Sequence, residues 1–256
     1  MQGHAPRRRF GQNFLVDETY VDRIVAAVAP QPGQLVVEIG PGLAALTAKL
    51  IERAGHITAV EIDRDLAAGL RERFLPAQLT LVEGDALAFD FASLGSSLRI
   101  VGNLPYNISS PLLFHLAQQV HAVADVTVML QKEVVDRMTA EPGTPEYGRL
   151  TVMLQAVFAI RRLFVVPPGA FRPAPKGDSA VARLTPLHER APQIVDPARF
   201  ARVVAGAFSQ RRKTLRNALS SVCDAPALVA AGIDPGARGE TLAVADFVRL
   251  ANALAR

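Results

Sequence analysis

The chain has 256 residues, 50% of them hydrophobic and 20% charged, and this length can bury a sizeable core in one large domain or in one domain with a small appendage. Its single cysteine, Cys223, excludes an intrachain disulfide, and its five histidines lack ligand spacing, so no metal site is expected. No apolar run follows the basic start of the chain and no apolar stretch reaches membrane-spanning length, which predicts a cytoplasmic protein without a membrane partner. The net charge is +4.

Strand-like and helical segments alternate through the first part of the chain. Asp17 can cap a first helix whose apolar face is formed by Val21, Ile24, Val25 and Val28. The next predicted strands are residues 35–39, 57–61, 79–83, 99–102 and 126–130, and the predicted helices between and after them are residues 43–53, 64–73, 111–120 and 132–139. Short strands rich in Val, Ile and Leu that alternate with helices predict a parallel sheet covered by helices.

The pattern changes after residue 160. Residues 161–166 and 180–184 are predicted to be two strands joined by a Pro-rich loop. Beyond Pro192 only helices are expected, near residues 196–208, 210–221 and 241–255. We therefore predict a catalytic domain over residues 1–188 and a small, basic helical domain over residues 189–256.

A glycine-rich turn follows the first of these strands. The stretch VVEIGPGLAALT (36–47) places Gly40 and Gly42 between a strand and a helix, where glycine lets the backbone approach a ligand closely. The same stretch matches G-x-G-x-x-[GA], and Glu61 lies nineteen residues after Gly42, near the place of the ribose-binding acid of a dinucleotide fold. This pattern alone does not exclude an enzyme that binds NAD.

Two acids favour S-adenosylmethionine as the ligand. Glu38 precedes the first glycine in E-x-G-x-G, and Asp85 ends the third strand in VEGDAL. A nucleoside that lies across the strand ends needs one acceptor for its ribose hydroxyls and another near the adenine amino group. Glu61 suits the first role and Asp85 suits the second.

The stretch IVGNLPYNISSP (100–111) ends the fourth strand at the edge where ligands bind in this topology. An enzyme that methylates adenine must reach an exocyclic nitrogen whose lone pair is delocalised into the ring. The Asn103 side-chain oxygen and the Leu104 carbonyl can each accept one N6–H bond, Pro105 fixes the turn, and Tyr106 offers a ring face for the base. Because stacking uses the ring, Tyr106→Phe is expected to be milder than Tyr106→Ala.

The chain resembles the bacterial small-subunit ribosomal RNA adenine N6-dimethyltransferases nearly from end to end. The matching segments include RRRFGQNFL (7–15), VEIGPGLAALT (37–47), EGDAL (83–87), GNLPYNISSPL (102–112), VPPGAFRPAPKGDSAV (166–181) and FSQRRKTLRNAL (208–219). The resemblance implies a Rossmann-like, S-adenosylmethionine-dependent α/β sheet of seven strands and a small all-helical C-terminal domain. It implies a monomeric enzyme without a metal that dimethylates two adjacent adenines in a hairpin near the 3′ end of 16S rRNA, in the small ribosomal subunit or its precursor.

The resemblance also implies roles for particular residues. Asn13 and Leu15 would close over the methionine part of the cofactor, and Gly40 would contact the cofactor through its backbone. Asn103 would touch both the cofactor and the target base. Phe171, in the Pro-rich loop, matches the aromatic residue that stacks on the flipped adenine, on the face opposite the NLPY tyrosine.

Basic residues concentrate at both ends of the chain. Residues 1–16 hold three arginines and no acid, and residues 186–256 hold ten Lys/Arg against six Asp/Glu. Four cations lie within six residues of a predicted helix: Arg211, Arg212, Lys213 and Arg216. Such cations repel one another unless an anion is near, so contacts with RNA phosphates are expected, although a solvated charged surface has the same composition.

Three alternatives remain open at this point. The nearest is a ribosomal RNA dimethyltransferase of the antibiotic-resistance type, which modifies one adenine of the large subunit. The second is a ribosome-assembly factor that keeps the fold without needing the reaction. The third is the NAD oxidoreductase admitted by the glycine turn, which NLPY and the basic C-terminal region disfavour.

Overall fold

The structure is a computed structural model that describes residues 13–210 and 212–255. Its strands are β1 (Phe14–Leu15), β2 (Val36–Ile39), β3 (Ile57–Glu61), β4 (Leu79–Glu83), β5 (Leu98–Asn103), β6 (Val123–Gln131), β7 (Phe158–Val166), β8 (Phe171–Arg172) and β9 (Ser179–Pro186). Its helices are α1 (Glu18–Val28), α2 (Ala45–Ala54), α3 (Arg64–Arg73), α4 (Ser109–Gln118), α5 (Lys132–Met138), α6 (Arg149–Gln155), α7 (Pro197–Ala207), α8 (Leu215–Ala218), α9 (Ala225–Ala230) and α10 (Val244–Ala253). The predicted α/β architecture is confirmed.

Seven strands form the central sheet in the order β4-β3-β2-β5-β6-β9-β7. The strands from β4 to β6 are parallel, whereas β9 runs antiparallel to β6. The strand order reverses between β2 and β5, so the carboxyl ends of these two strands flank the crevice where open α/β sheets bind ligands. Because β9 is antiparallel, its first residue lies at this same edge of the sheet.

Helix α1 shows how the local sequence produces the packing. The Asp17 carboxylate accepts a hydrogen bond from the Thr19 N–H and caps the helix, as the sequence predicts. Its buried face consists of Val21, Ile24, Val25 and Val28, and α1 packs on α2 and β6. At its carboxyl end, the Arg99 guanidinium donates to the Val28 carbonyl at 2.7 Å and pairs with Asp125 at 2.7 Å. A charged group of β5 thus satisfies a helix end that would otherwise leave its carbonyls without partners.

The short two-stranded sheet of β1 and β8 has no counterpart among the predicted elements. Leu15 pairs with Phe171 and Phe14 with Arg172, across more than half of the chain. A two-residue strand carries no periodicity of its own, so its pairing depends on tertiary structure that the local sequence does not display.

The chain divides into two compact units. The first contains residues 1–135 and 160–186, and the second contains residues 136–159 and 187–256. The second unit therefore differs from the predicted helical domain, because residues 136–159 belong to it. Tyr147, Val152 and Ala156 are buried in its core, and the Tyr147 hydroxyl donates to the Leu242 carbonyl at 2.7 Å.

The helices of the second unit also differ from the predicted ones. The segment predicted as one helix over residues 210–221 is helical over Leu215–Ala218, and α6 and α9 were not predicted. Helix α9 is capped by Asp224, which accepts a hydrogen bond from the Ala227 N–H. Asp224 followed by Pro226 near the first helical position is a start signal that could have revealed this helix.

Candidate active site

A cavity of about 300 Å³ lies in the first unit, at the carboxyl edge of the parallel strands. Nine residues predicted for the cofactor or target site line it: Asn13, Leu15, Gly40, Glu61, Asp85, Asn103, Leu104, Pro105 and Tyr106. They come from β1 and from the ends of four parallel strands. The topology therefore brings together groups that are as far apart in the sequence as Asn13 and Tyr106.

The glycine turn forms one wall of the cavity. Gly40 has a φ of +66°, which L side chains rarely adopt, and its N–H donates to the Val60 carbonyl at 2.9 Å. The Gly42 N–H donates to Glu61 Oε2 at 3.1 Å. The turn after β2 is thus fixed to the end of β3, which holds the backbone against the cavity.

Glu61 is held rigidly at the end of β3. It is only 4% exposed, and its second oxygen, Oε1, accepts from the Asp63 N–H at 2.9 Å. Burial raises the pKa of the carboxyl above its ordinary value, although the backbone N–H groups of Asp63 and Gly42 act in the opposite direction. A carboxylate offers about four acceptor positions, so this one can also accept from a pair of ligand hydroxyls.

Glu38 is a buried acid that the cavity contacts directly. Its side chain is 2% exposed, and its Oε2 has no hydrogen-bond partner within residues 13–210 and 212–255. Burial raises its pKa to about 8, and the neighbouring charge of Glu61 adds to the shift. An unpartnered buried acceptor on the cavity wall fits a ligand that brings a donor or a positive charge, and S-adenosylmethionine carries both.

Glu38 should make the stability of the cofactor-free protein depend on pH. An ordinary glutamate ionises near 4.5, so between that pH and about 8 the folded protein keeps a proton that the unfolded chain has lost, and stability falls as pH rises. Glu38→Gln should remove this contribution, which is at most about 1.4 kcal/mol per pH unit. Thermal unfolding of both proteins at several pH values across this range tests the expectation, and parallel curves would contradict it.

Asn103 closes the opposite wall of the cavity. Its side-chain nitrogen donates to the Asn13 carbonyl at 2.9 Å, and the part of the chain that the structure describes contributes no hydrogen bond to its side-chain oxygen. The preceding Gly102 lies so close to β2 that a Cβ there would come within 2.7 Å of the Ile39 carbonyl. The close approach of β5 to β2 thus sets the position of Asn103.

The residues after Asn103 form a tightly bonded turn. The Leu104 N–H donates to the Met129 carbonyl at 3.1 Å, and the buried Ser109 hydroxyl lies 3.0 Å from the Pro105 carbonyl and 3.1 Å from that of Tyr106. The Tyr106 hydroxyl lies 2.7 Å from Ser179 Oγ. Sequence reasoning identified neither serine, because each acts through contacts with the NLPY turn and carries no motif of its own.

Phe171 differs from the other predicted residues of the cofactor and target site in this structure. It is absent from the cavity lining, and its ring is fully buried at 0% exposure in the core of the first unit. The pairing of β8 with β1 places it there, because Phe171 lies opposite Leu15. In this structure Phe171 is a core residue and presents no free ring face for a base.

The basic cluster lies in the second unit. Arg212, Lys213 and Arg216 are exposed, while Arg211 lies outside the described residues. Arg212 and Lys213 lie in a turn before α8 and not on the predicted helix. Within the described part of the chain, these three side chains form no ion pair, so their charges are available to an anion.

The strand order, the glycine turn after β2, the acid that ends β3 and the acid that follows β4 define a Rossmann-like methyltransferase that uses S-adenosylmethionine. The model of the ribosomal RNA adenine dimethylase family matches residues 3–256. The chain belongs to this family, and it is an enzyme that dimethylates adenine in ribosomal RNA with S-adenosylmethionine as the methyl donor.

Curated relatives and solved structures agree with this assignment. A ribosomal RNA small subunit methyltransferase A of Aromatoleum aromaticum is 60% identical over 100% of this chain and 96% of its own length. Another of the same name, from Thiobacillus denitrificans, is 59% identical over 95% of this chain and 96% of its own length.

Two crystal structures share the fold over almost the whole chain. A dimethyladenosine transferase from Plasmodium falciparum is 25% identical, with a TM-score of 0.80 over 93% of this chain and 95% of its own. The 23S rRNA methyltransferase ErmE is 28% identical, with a TM-score of 0.69 over 95% of this chain and 100% of its own. The predicted fold class, enzyme class and family are thereby confirmed.

Among the described residues, no helix is long and apolar enough to cross a membrane.

Proposed function

We propose that the substrate is 16S rRNA in the small ribosomal subunit or its precursor, where the enzyme dimethylates N6 of two adjacent adenines in a hairpin near the 3′ end. The relatives named for the small subunit are 59–60% identical to this chain, whereas the 23S rRNA methyltransferase is 28% identical. A substrate in bacterial ribosomes places the enzyme in the cytoplasm. We also propose that it acts as a monomer, as the resemblance to the small-subunit dimethyltransferases implies.

The hydrogen bond of Asn103 to Asn13 is the observation that carries the proposed chemistry. It occupies the amide nitrogen and leaves the side-chain oxygen as an acceptor at the cavity wall. This oxygen and the Leu104 carbonyl each accept one N–H of the target amine. Two acceptors orient the nitrogen lone pair out of conjugation with the ring, towards the methyl donor. After the first methylation one N–H remains, and one acceptor suffices to hold the amine for the second.

Five other lining residues bind the cofactor. S-adenosylmethionine, when bound, supplies a methyl group on a positively charged sulfur. The sulfur leaves as a neutral thioether, so its departure needs no acid. Glu61 accepts from the ribose hydroxyls, and Asp85 accepts from the adenine amino group. Asn13 and Leu15 cover the methionine part of the cofactor, and the Gly40 backbone contacts the cofactor. Rate enhancement then comes mainly from positioning two reactants in a site that excludes water.

Tyr106 receives the target base on its ring face. Ribosomal adenines are stacked in helices and loops, so the target must leave its stack at a cost of a few kcal/mol. Stacking on an aromatic ring returns about 1–3 kcal/mol per base. Since Phe171 is buried in this structure, we assign the stacking contact with the target base to Tyr106.

The proposed substrate can be tested with under-methylated small subunits and labelled S-adenosylmethionine, followed by mapping of the modified nucleotides. Label is expected on two adjacent adenines of 16S rRNA, as dimethyladenosine. Large subunits are assayed in parallel as the comparison substrate. Label confined to the large subunit would assign the enzyme to the antibiotic-resistance type, and no label in either subunit would overturn the proposed reaction.

The exposed cations of the second unit are proposed to contact RNA phosphates. Replacing Arg212, Lys213 and Arg216 together with alanine should weaken RNA binding and flatten its salt dependence. Each lost phosphate contact on a duplex removes about 0.9 from the log–log slope, because fewer counterions are released. Cofactor affinity should not change, since none of the three lines the cavity. Binding isotherms at several salt concentrations give the slope.

Arg238 supplies the matched control for this cluster. It is exposed in the same unit, but its guanidinium lies 3.8 Å from the Glu240 carboxylate. The Arg238→Ala protein should therefore retain the wild-type salt slope. Equal slopes for the triple variant and the wild-type protein would identify the cluster as a solvated surface.

A further inference from the structure

Ser179 lies at the carboxyl edge of the sheet, next to Tyr106 of the NLPY motif, although the two residues are 73 positions apart in the sequence. It is the first residue of β9 and pairs with Gln131, the last residue of β6. Since β9 runs antiparallel to β6, its first residue lies beside the ends of the parallel strands. Its side chain is fully buried, at 0% exposure.

The Ser179 hydroxyl and the Tyr106 hydroxyl form a hydrogen bond with each other. Their oxygens are 2.7 Å apart, a normal length for a hydrogen bond between hydroxyl groups. No other side-chain hydrogen bond of Ser179 occurs within the described ranges. A buried hydroxyl needs a partner, and for Ser179 that partner is a residue of the cavity lining.

Tyr106 is consequently fixed at two points. Ser109 bonds to its backbone carbonyl at 3.1 Å, and Ser179 bonds to the far end of its ring at 2.7 Å. A tyrosine held only by its backbone can change its side-chain rotamer, which moves the ring face by several ångströms. With both ends held, the plane of the ring is set before a base arrives.

We propose that Ser179 is a positioning residue that sets the orientation of the Tyr106 ring for the target adenine. The inference rests on the proposed stacking role of Tyr106. It also changes the expectation from the sequence, since the tyrosine hydroxyl now has a function that phenylalanine lacks. Methyl transfer is sensitive to such a change, because small displacements of a reactant from the productive geometry lower rates steeply.

A cycle of three variants tests the proposal: Ser179→Ala, Tyr106→Phe and the double variant. Each single change should lower kcat on small subunits by about tenfold, the rate equivalent of one ordinary hydrogen bond, and leave the KM for S-adenosylmethionine unchanged. The double variant should be no slower than either single variant, since both remove the same bond.

Thermal stability separates positioning from a merely structural role. Ser179→Ala leaves the partly buried Tyr106 hydroxyl unpaired, and Tyr106→Phe leaves the buried Ser179 hydroxyl unpaired. The double variant leaves neither, so it should regain much of the lost stability. Its kcat should nevertheless stay low, because the ring is still not held. Ser93→Ala, which loses a 2.6 Å bond to the Asp90 carbonyl outside the cavity lining, controls for the loss of a serine hydroxyl and should keep full kcat.

Three outcomes would overturn the inference. The first two are full kcat of a folded Ser179→Ala protein, and kcat losses in the single variants that multiply in the double variant. Recovery of kcat together with stability in the double variant would also overturn it. The Tyr106→Ala protein distinguishes this failure from a failure of the proposed function. Normal activity of that variant would remove Tyr106 from the mechanism, whereas its inactivity beside an active Ser179→Ala protein would reject only the role of Ser179.

Discussion

Replacing Asn103 with alanine should lower kcat by about 100-fold or more, the usual cost of losing one positioned catalytic hydrogen bond. The variant removes the acceptor for the target amine and also the 2.9 Å bond that fixes Asn13 on the cavity wall. The loss of stability should stay near 1 kcal/mol, since one partly buried hydrogen bond is lost. Turnover of under-methylated small subunits at saturating S-adenosylmethionine, together with thermal unfolding, separates the two effects.

Asn252 provides a matched control for Asn103. Its side-chain nitrogen also donates to a backbone carbonyl, that of Gln193, at 2.7 Å, and it lies in the second unit. Its side-chain oxygen also accepts from the Val195 N–H at 3.0 Å, so Asn252→Ala should cost at least as much stability as Asn103→Ala and leave kcat unchanged. Near-normal turnover by a well-folded Asn103→Ala protein would contradict the proposed mechanism and reduce NLPY to a structural turn.

Replacing Glu61 with alanine should weaken the binding of S-adenosylmethionine by roughly 10- to 150-fold, since hydrogen bonds to charged groups contribute about 1.5–3 kcal/mol. The change removes the acceptor for the ribose hydroxyls and releases the Gly42 and Asp63 N–H groups. The glycine turn would thereby lose its connection to β3. Calorimetric titration with the cofactor measures the effect, and RNA binding should persist because Glu61 lies among the residues proposed for the cofactor.

Glu83 is the natural control for Glu61. It lies directly opposite Glu61 in the pairing of β3 with β4 and is likewise the last residue of its strand. Its carboxylate binds Arg71 at 3.0 Å and is absent from the cavity lining. Glu83→Ala should keep the wild-type affinity for the cofactor. An unchanged dissociation constant for Glu61→Ala would exclude Glu61 from the cofactor site.

The sequence predicts the parallel sheet and most of the cavity wall because both depend on local patterns. Short runs rich in Val, Ile and Leu between helical segments locate β2 to β6, and the ends of parallel strands necessarily meet at one edge. Gly40, Glu61, Asp85 and Asn103 each follow or end such a strand, so their proximity follows from topology without knowledge of any side-chain contact.

The features that escape prediction depend on pairing between distant segments. The antiparallel register of β9 brings Ser179 to Tyr106, and the pairing of β1 with β8 buries Phe171. Neither register is encoded by the residues near the contact. Helix α6 has a different cause, because its burial depends on packing with α7 and α10 in the second unit, which lie far along the chain.

The pairing of β1 with β8 also determines when the cavity can close during synthesis. The amino-terminal residues of a chain leave the ribosome first, yet Leu15 finds its strand partner only when Phe171 has been made. Contacts between residues so distant form slowly, because loop closure must precede them. The parallel strands from β4 to β6 can pair early, while β1, which supplies Leu15 to the cavity, stays unpaired until translation has passed the Pro-rich loop. The lining of the cavity, and with it the proposed cofactor site, is therefore completed late in the biosynthesis of the chain.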